Sequence, residues 1–205
     1  MSIVKLNNKA VSNATSFGSI TSLGSMTFIK KLTASGSATL SFVDGTDGVV
    51  LDDTYKEYVF TFKNIHPATN SKLQFQVDTG TNTSYNQTVT NTNFRAFQKE
   101  DGSNPTLTYQ ADYDQAQGTS FVIIGDSVGT DNDENIGGSL QLFNPSSDTF
   151  VKHFISRTNT TQSSGYTVDM FIAGYFNTQT PLTRVQFKMS SGNIDAGDIC
   201  LYGIA

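Results

Sequence analysis

The sequence predicts an all-β chain: an antiparallel β-sandwich of jelly-roll type, entered by an extended N-terminal arm. Three observations carry that expectation. Apolar and polar residues alternate strictly over short stretches, as in Leu73, Phe75 and Val77 against Gln74 and Gln76, which is the pattern of a strand with one face buried. Such stretches recur about every 8 to 14 residues, separated by Gly, Asn, Asp and Pro, as in sandwiches and barrels. No window of about 12 residues carries an apolar stripe at helical spacing with caps at both ends.

Residues 1–25 read as an arm and residues 26–205 as the body. From Val11 to Leu32 an apolar or small residue recurs every third position (Val11, Ala14, Phe17, Ile20, Leu23, Met26, Ile29, Leu32). Within this run, Thr15-Ser-Phe-Gly-Ser-Ile20 is followed by the similar Thr21-Ser-Leu-Gly-Ser-Met26. A period of about 3.0 fits neither helix nor strand but does fit an extended threefold conformation. One such stripe cannot build a core; it is expected to be buried along another protein, or by three copies wrapped around a threefold axis, and the segment reads as a docking arm. Phe17, Ile20, Leu23 and Met26 are the expected attachment contacts, with Gly18 and Gly24 permitting close backbone approach.

The body strands are expected at Met26 to Leu32, Ala38 to Val43, Glu57 to Asn64, Leu73 to Val77, Thr88 to Phe97, Thr106 to Tyr109, Phe121 to Ile124, Ser139 to Phe143, Phe150 to Arg157, Val168 to Phe176, Arg184 to Met189 and Ile199 to Tyr202. Asp44-Gly45, Asp47-Gly48, Asp101-Gly102, Asn144-Pro145 and Ser191-Gly192-Asn193 supply turn chemistry at the gaps. Single helical turns are expected at Leu51 to Tyr55 and Asp112 to Ala116.

The composition narrows function. The 205 residues carry 13 Lys plus Arg against 18 Asp plus Glu, a net charge of -5, which argues against a phosphate-neutralising surface and against nucleic acid as a partner. Ser and Thr make up about a quarter of the chain, more than ordinary usage. The one cysteine, Cys200, cannot form an internal disulfide and is expected as a buried thiol. No secretory leader and no apolar stretch of about 20 residues is recognisable, so membrane insertion is not expected.

Motifs for chemistry are few, and no catalytic residue, metal or cofactor is expected. Gly125-Asp-Ser-Val-Gly129 matches Gly-x-Ser-x-Gly after an apolar run, but no helical stripe follows it as a nucleophile elbow requires. Asp131, Asp133 and Asn135 alternate like calcium ligands, yet Ile136 and Leu142 occupy the positions where an EF-hand loop needs Gly and Glu. His66 and His153 are isolated and read as structural hydrogen-bonding groups. Among aromatics, Tyr85, Tyr109, Tyr113 and Tyr166 fall in or near polar loops. Of these, Tyr85, Tyr113 and Tyr166 are the expected receptor contacts.

Four segments of the body resemble a group of tail-associated and fibre-like virion proteins of marine bacteriophages. They are Tyr58-Val-Phe-Thr-Phe-Lys-Asn-Ile-His-Pro-Ala-Thr69, Leu140 to Ser156, Phe171-Ile-Ala-Gly-Tyr-Phe-Asn177, and Phe187 to Ile204 with its Ser-Gly-Asn-Ile and Leu-Tyr-Gly-Ile signature. The resemblance implies a non-enzymatic virion structural protein, assembled in the host cytoplasm as a homotrimer. It implies other tail or capsid proteins as partners and contact with a host glycan or protein. It also places Asp126 to Asn135 in a loop between strands. A capsid decoration protein and a free carbohydrate-binding module are the competing readings.

Overall fold

The computed structural model describes residues 26–204. In chain order its strands are β1 (Met26–Thr33), β2 (Leu40–Val43), β3 (Glu57–Pro67), β4 (Ser71–Thr79), β5 (Val89–Lys99), β6 (Thr106–Tyr109), β7 (Gln115–Gly118), β8 (Val122–Val128), β9 (Ile136–Phe143), β10 (Lys152–Gln162), β11 (Tyr166–Phe176), β12 (Leu182–Met189) and β13 (Ile194–Ile204). A 3-10 turn at Ala111–Tyr113 precedes β7. The expected arm residues Phe17, Gly18, Ile20, Leu23 and Gly24 lie outside the described residues. Met26 opens β1, where it pairs with Ile204.

Every strand pairing is antiparallel, and the order resolves into two layers. One runs β1-β13-β3-β9 and the other β2-β12-β4-β8. The chain crosses between layers from β1 to β2, β3 to β4, β8 to β9 and β12 to β13, which is the double Greek key of a jelly roll. Two insertions enlarge the first layer. The β10–β11 hairpin continues it beyond β9, and β5, carrying β6 and β7 on its far edge, continues it beyond β11. A single pair, Gln162 with Val128, links β10 to β8, so the whole forms one sheet nearly closed into a barrel.

Phenylalanines fill the space between layers. Phe187 on β12 meets Phe60 and Phe62 of β3 at 5.3 and 5.4 Å, and Phe75 on β4 meets Phe154 of β10 at 5.0 Å and Phe176 of β11 at 5.7 Å. All but Phe62 are essentially fully buried, each removing about 150–250 Å² from water. The inward positions are the alternate residues expected of these strands.

Several local expectations change. The segment at Leu51 to Tyr55 forms turns without a helix, and the one at Asp112 to Ala116 splits into the 3-10 turn and β7. The first three residues of the acidic run, Asp126, Ser127 and Val128, belong to β8, so the loop begins only at Gly129. β3 continues through His66 and ends at Pro67, where the missing proline N–H costs no ladder bond. Cys200 is only partly buried, because it faces the outer side of β13.

Candidate functional site

The outer face of the enlarged layer is where this body departs from a sandwich with a polar exterior. β5 is mixed in polarity, with Val89 and Phe97 also turned toward the core. Its inward residues include Asn91 and Asn93, 6% and 0% exposed, while Phe94 points outward at 44%. β10 presents Ile155 outward at 52%, and β6 presents Leu107 and Tyr109 at 73% and 61%. Strand register aligns these side chains in rows. Arg157, Phe171, Phe94 and Tyr109 are successive cross-strand partners, as are Ile155, Ala173 and Thr92.

Local contacts make the row rigid. The Phe94 and Phe171 rings stack at 4.9 Å with 2° between planes. The Arg157 guanidinium lies 4.6 Å from the Phe171 centroid and donates two hydrogen bonds to the Asp169 carboxylate, at 3.1 and 2.8 Å. That ion pair is self-contained and raises the guanidinium's pKa above its ordinary value. Two hollows flank the row. An apolar one of about 520 Å³ is lined by Phe143, His153, Ile155, Ala173 and Tyr175. A polar one of about 490 Å³ is lined by Gly137, Ser139, Arg157, Asn159 and Asp169. At the opposite margin of the same layer, Met26 and Phe28 on β1 are 46% and 57% exposed, and Phe28 packs edge-on against Tyr202 at 5.6 Å.

A buried polar cluster ties the insertions to the jelly roll. Asp126 on β8 is fully buried and accepts from four donors: the Arg95 guanidinium of β5, the Tyr113 hydroxyl at 2.5 Å, the Ser127 hydroxyl at 3.1 Å and the Gln162 amide at 3.3 Å. Ser127 has φ 32°, a left-handed conformation uncommon for a residue with a side chain. Its hydroxyl is thus engaged within a strand by the carboxylate beside it, and neither histidine is among that carboxylate's partners. Glu134, also buried, accepts from the Asp131 N–H and closes the acidic loop. The His66 ring nitrogen lies 3.3 Å from the Asp131 carbonyl, a backbone-capping role as expected. Among the described residues, no group of three or more His, Cys, Asp or Glu is arranged to hold a metal ion.

The expected receptor tyrosines are corrected by burial. Tyr85 is 7% exposed, its ring beside Phe121 and its backbone N–H donating to the buried Asp78 carboxylate, which gathers the surrounding loop through Thr79, Asn82 and Gln87. Tyr113 is 8% exposed because its hydroxyl serves Asp126. Tyr166 is half-buried against Phe97 at the mouth of a 160 Å³ hollow shared with Arg95 and Gln162. Tyr109 alone among the loop tyrosines is openly exposed. Sequence reading passed over Phe94, Ile155 and Phe171, although a signal was present. Phe154-Ile155 and Met170-Phe171-Ile172 are consecutive apolar residues, which place apolar groups on both faces of a strand.

No protein-family model, curated protein or solved structure matches this chain.

Proposed function

We propose that the chain is a bacteriophage virion structural protein, a tail fibre or tail appendage. Residues 1–25 attach it to the particle, and the body assembles as a homotrimer that contacts the host surface. The observation supporting this most directly is the exposed aromatic and aliphatic face spanning β10, β11, β5 and β6. Contiguous apolar surface of this kind marks contact with another protein. The jelly roll is compatible, since viral and lectin domains use it, but function rests on the site and not on the fold. The virion assignment itself comes from the resemblance of the four body segments.

Antibody labelling of purified particles is the test. Label on the tail, lost when residues 1–25 are deleted, is the expected result. Label on the shell would make the chain a decoration protein, and absence from particles would overturn the proposal. The polar hollow at Arg157, Asp169 and Asn159 favours a second reading, glycan binding beside the Phe171 ring. That reading predicts glycan-array binding by a monomer, abolished in Arg157→Ala.

A further inference from the structure

We infer that copies of this chain associate head to tail, the β1 margin of one against the β10-β11-β5-β6 face of the next. The inference rests on the reading of the chain as a self-assembling particle protein and names the surface involved. Its basis is that the exposed large apolar side chains of the strands gather in two patches on one sheet face; Phe150, 67% exposed, lies apart in the bend before β10. Met26 and Phe28, with Tyr202, form the first; Ile155, Phe171, Phe94, Tyr109 and Leu107 form the second. Between them, on β3 and β9, the outward positions mix polar Glu57, Thr61, Ser139 and Gln141 with the partly buried Val59 and Phe143.

An isologous contact would use one patch twice and leave the other in water. A heterologous contact engages both, and it closes into a ring when the rotation permits. Together the two patches approach the apolar area of a standard joint. At about 200 Å² per large side chain, the fractional exposures leave about 200 Å² on Met26 and Phe28 and about 460 Å² on Ile155, Phe94, Tyr109 and Leu107. A standard interface buries about 1,600 Å² in total, of which about 900 Å² is apolar. The half-buried Tyr202, Tyr175 and Phe171 contribute toward the remainder. Charge also favours a copy of the same chain over a strongly charged partner. The second patch's own cation, Arg157, is already paired with Asp169 and needs no counter-charge from outside.

Light scattering on the isolated full chain tests this. The wild type is expected at three times the chain mass. Phe28→Glu alone, and Ile155→Glu with Leu107→Glu, should each fall to the single-chain mass. The decisive step mixes the two variants in equal amounts. Each retains the patch the other lacks, so a two-chain species should form, with no trimer. A monomeric wild type, an unchanged mass in either variant, or a mixture that stays monomeric would overturn the inference. Circular dichroism verifies folding, and if a glutamate variant fails to fold, Phe28→Ser and Ile155→Ser replace it with the same expected masses. Particle labelling reads the virion proposal independently, so a tail-labelled protein that is monomeric in isolation would refute the joint and the homotrimer and leave the virion assignment standing.

Discussion

Replacing Asp126 by alanine should be among the most destabilising changes that leave the hydrophobic core untouched. The carboxylate is fully buried, and its partner, the Arg95 guanidinium, retains only 20% exposure. Removing one member of such a pair leaves an uncompensated charge in a poorly solvated place, costing about 3–5 kcal/mol. Tyr113, Ser127 and Gln162 lose their acceptor as well, which pushes the expectation toward the upper end of that range. Replacing both partners by apolar residues, Asp126→Val with Arg95→Met, removes the stranded charge. The double variant should therefore cost about 1–2 kcal/mol, chiefly from the orphaned tyrosine hydroxyl. Arg157 and Asp169 provide the contrast: at 64% and 30% exposure, Asp169→Ala should cost about 1 kcal/mol or less. The chain has no tryptophan, so urea unfolding would be followed by far-ultraviolet circular dichroism. A cost below about 1 kcal/mol for Asp126→Ala, or strict additivity in the double variant, would refute the claim that this pair clasps the insertions to the jelly roll.

Phe187→Ala should cost about 3–5 kcal/mol by urea unfolding, because its ring touches Phe42, Phe60, Phe62 and Phe75 and the two layers cannot collapse onto the gap; a loss under 1.5 kcal/mol, on the order of a tolerated core swap, would contradict the packing. Gly174→Ala should destabilise by about 1–3 kcal/mol, since a methyl there would lie 2.5 Å from the Thr90 carbonyl and 2.8 Å from the Phe154 ring; wild-type stability would mean β11 and β5 are spaced wider than described. Hydrogen bonds from Ser103, with the Lys99 ammonium beside it, hold the Asp101 carboxyl at about 2. The folded value lies below the ordinary one, so its contribution is present above about pH 4 and fades as pH falls toward 2. Carbon-detected NMR titration should give a midpoint near that value, and an ordinary midpoint near 3.8 would remove the Ser103 and Lys99 contacts from solution.

Much of the fold was legible because alternation is a local property. Leu73, Phe75 and Val77, or Val185, Phe187 and Met189, announce a buried face by spacing alone, and all are fully or nearly fully buried. Turn chemistry was equally local: Gly45, Gly48, Gly102 and Gly192 all adopt positive φ where turns were expected. The second half of β10 was not legible. Thr158, Asn159, Thr160 and Thr161 carry no apolar signal, yet they pair residue for residue with β11 around a hairpin closed by Gly165 at φ 71°.

What the sequence by itself determined was a chain of antiparallel strands and the gaps between them. Only the tertiary structure decided which face of β5 turns inward, that Lys152 is buried with its amine on the Phe150 and Thr178 carbonyls, that Tyr85 is buried beside Phe121, and that the Tyr113 hydroxyl serves a buried carboxylate. It also decided that Phe94, Phe171 and Tyr109, scattered along the chain, share one exposed row. The physical reason is that a period of two defines two faces without saying which is covered. That choice belongs to the neighbouring strands and layers, which are set by pairings between residues far apart in sequence.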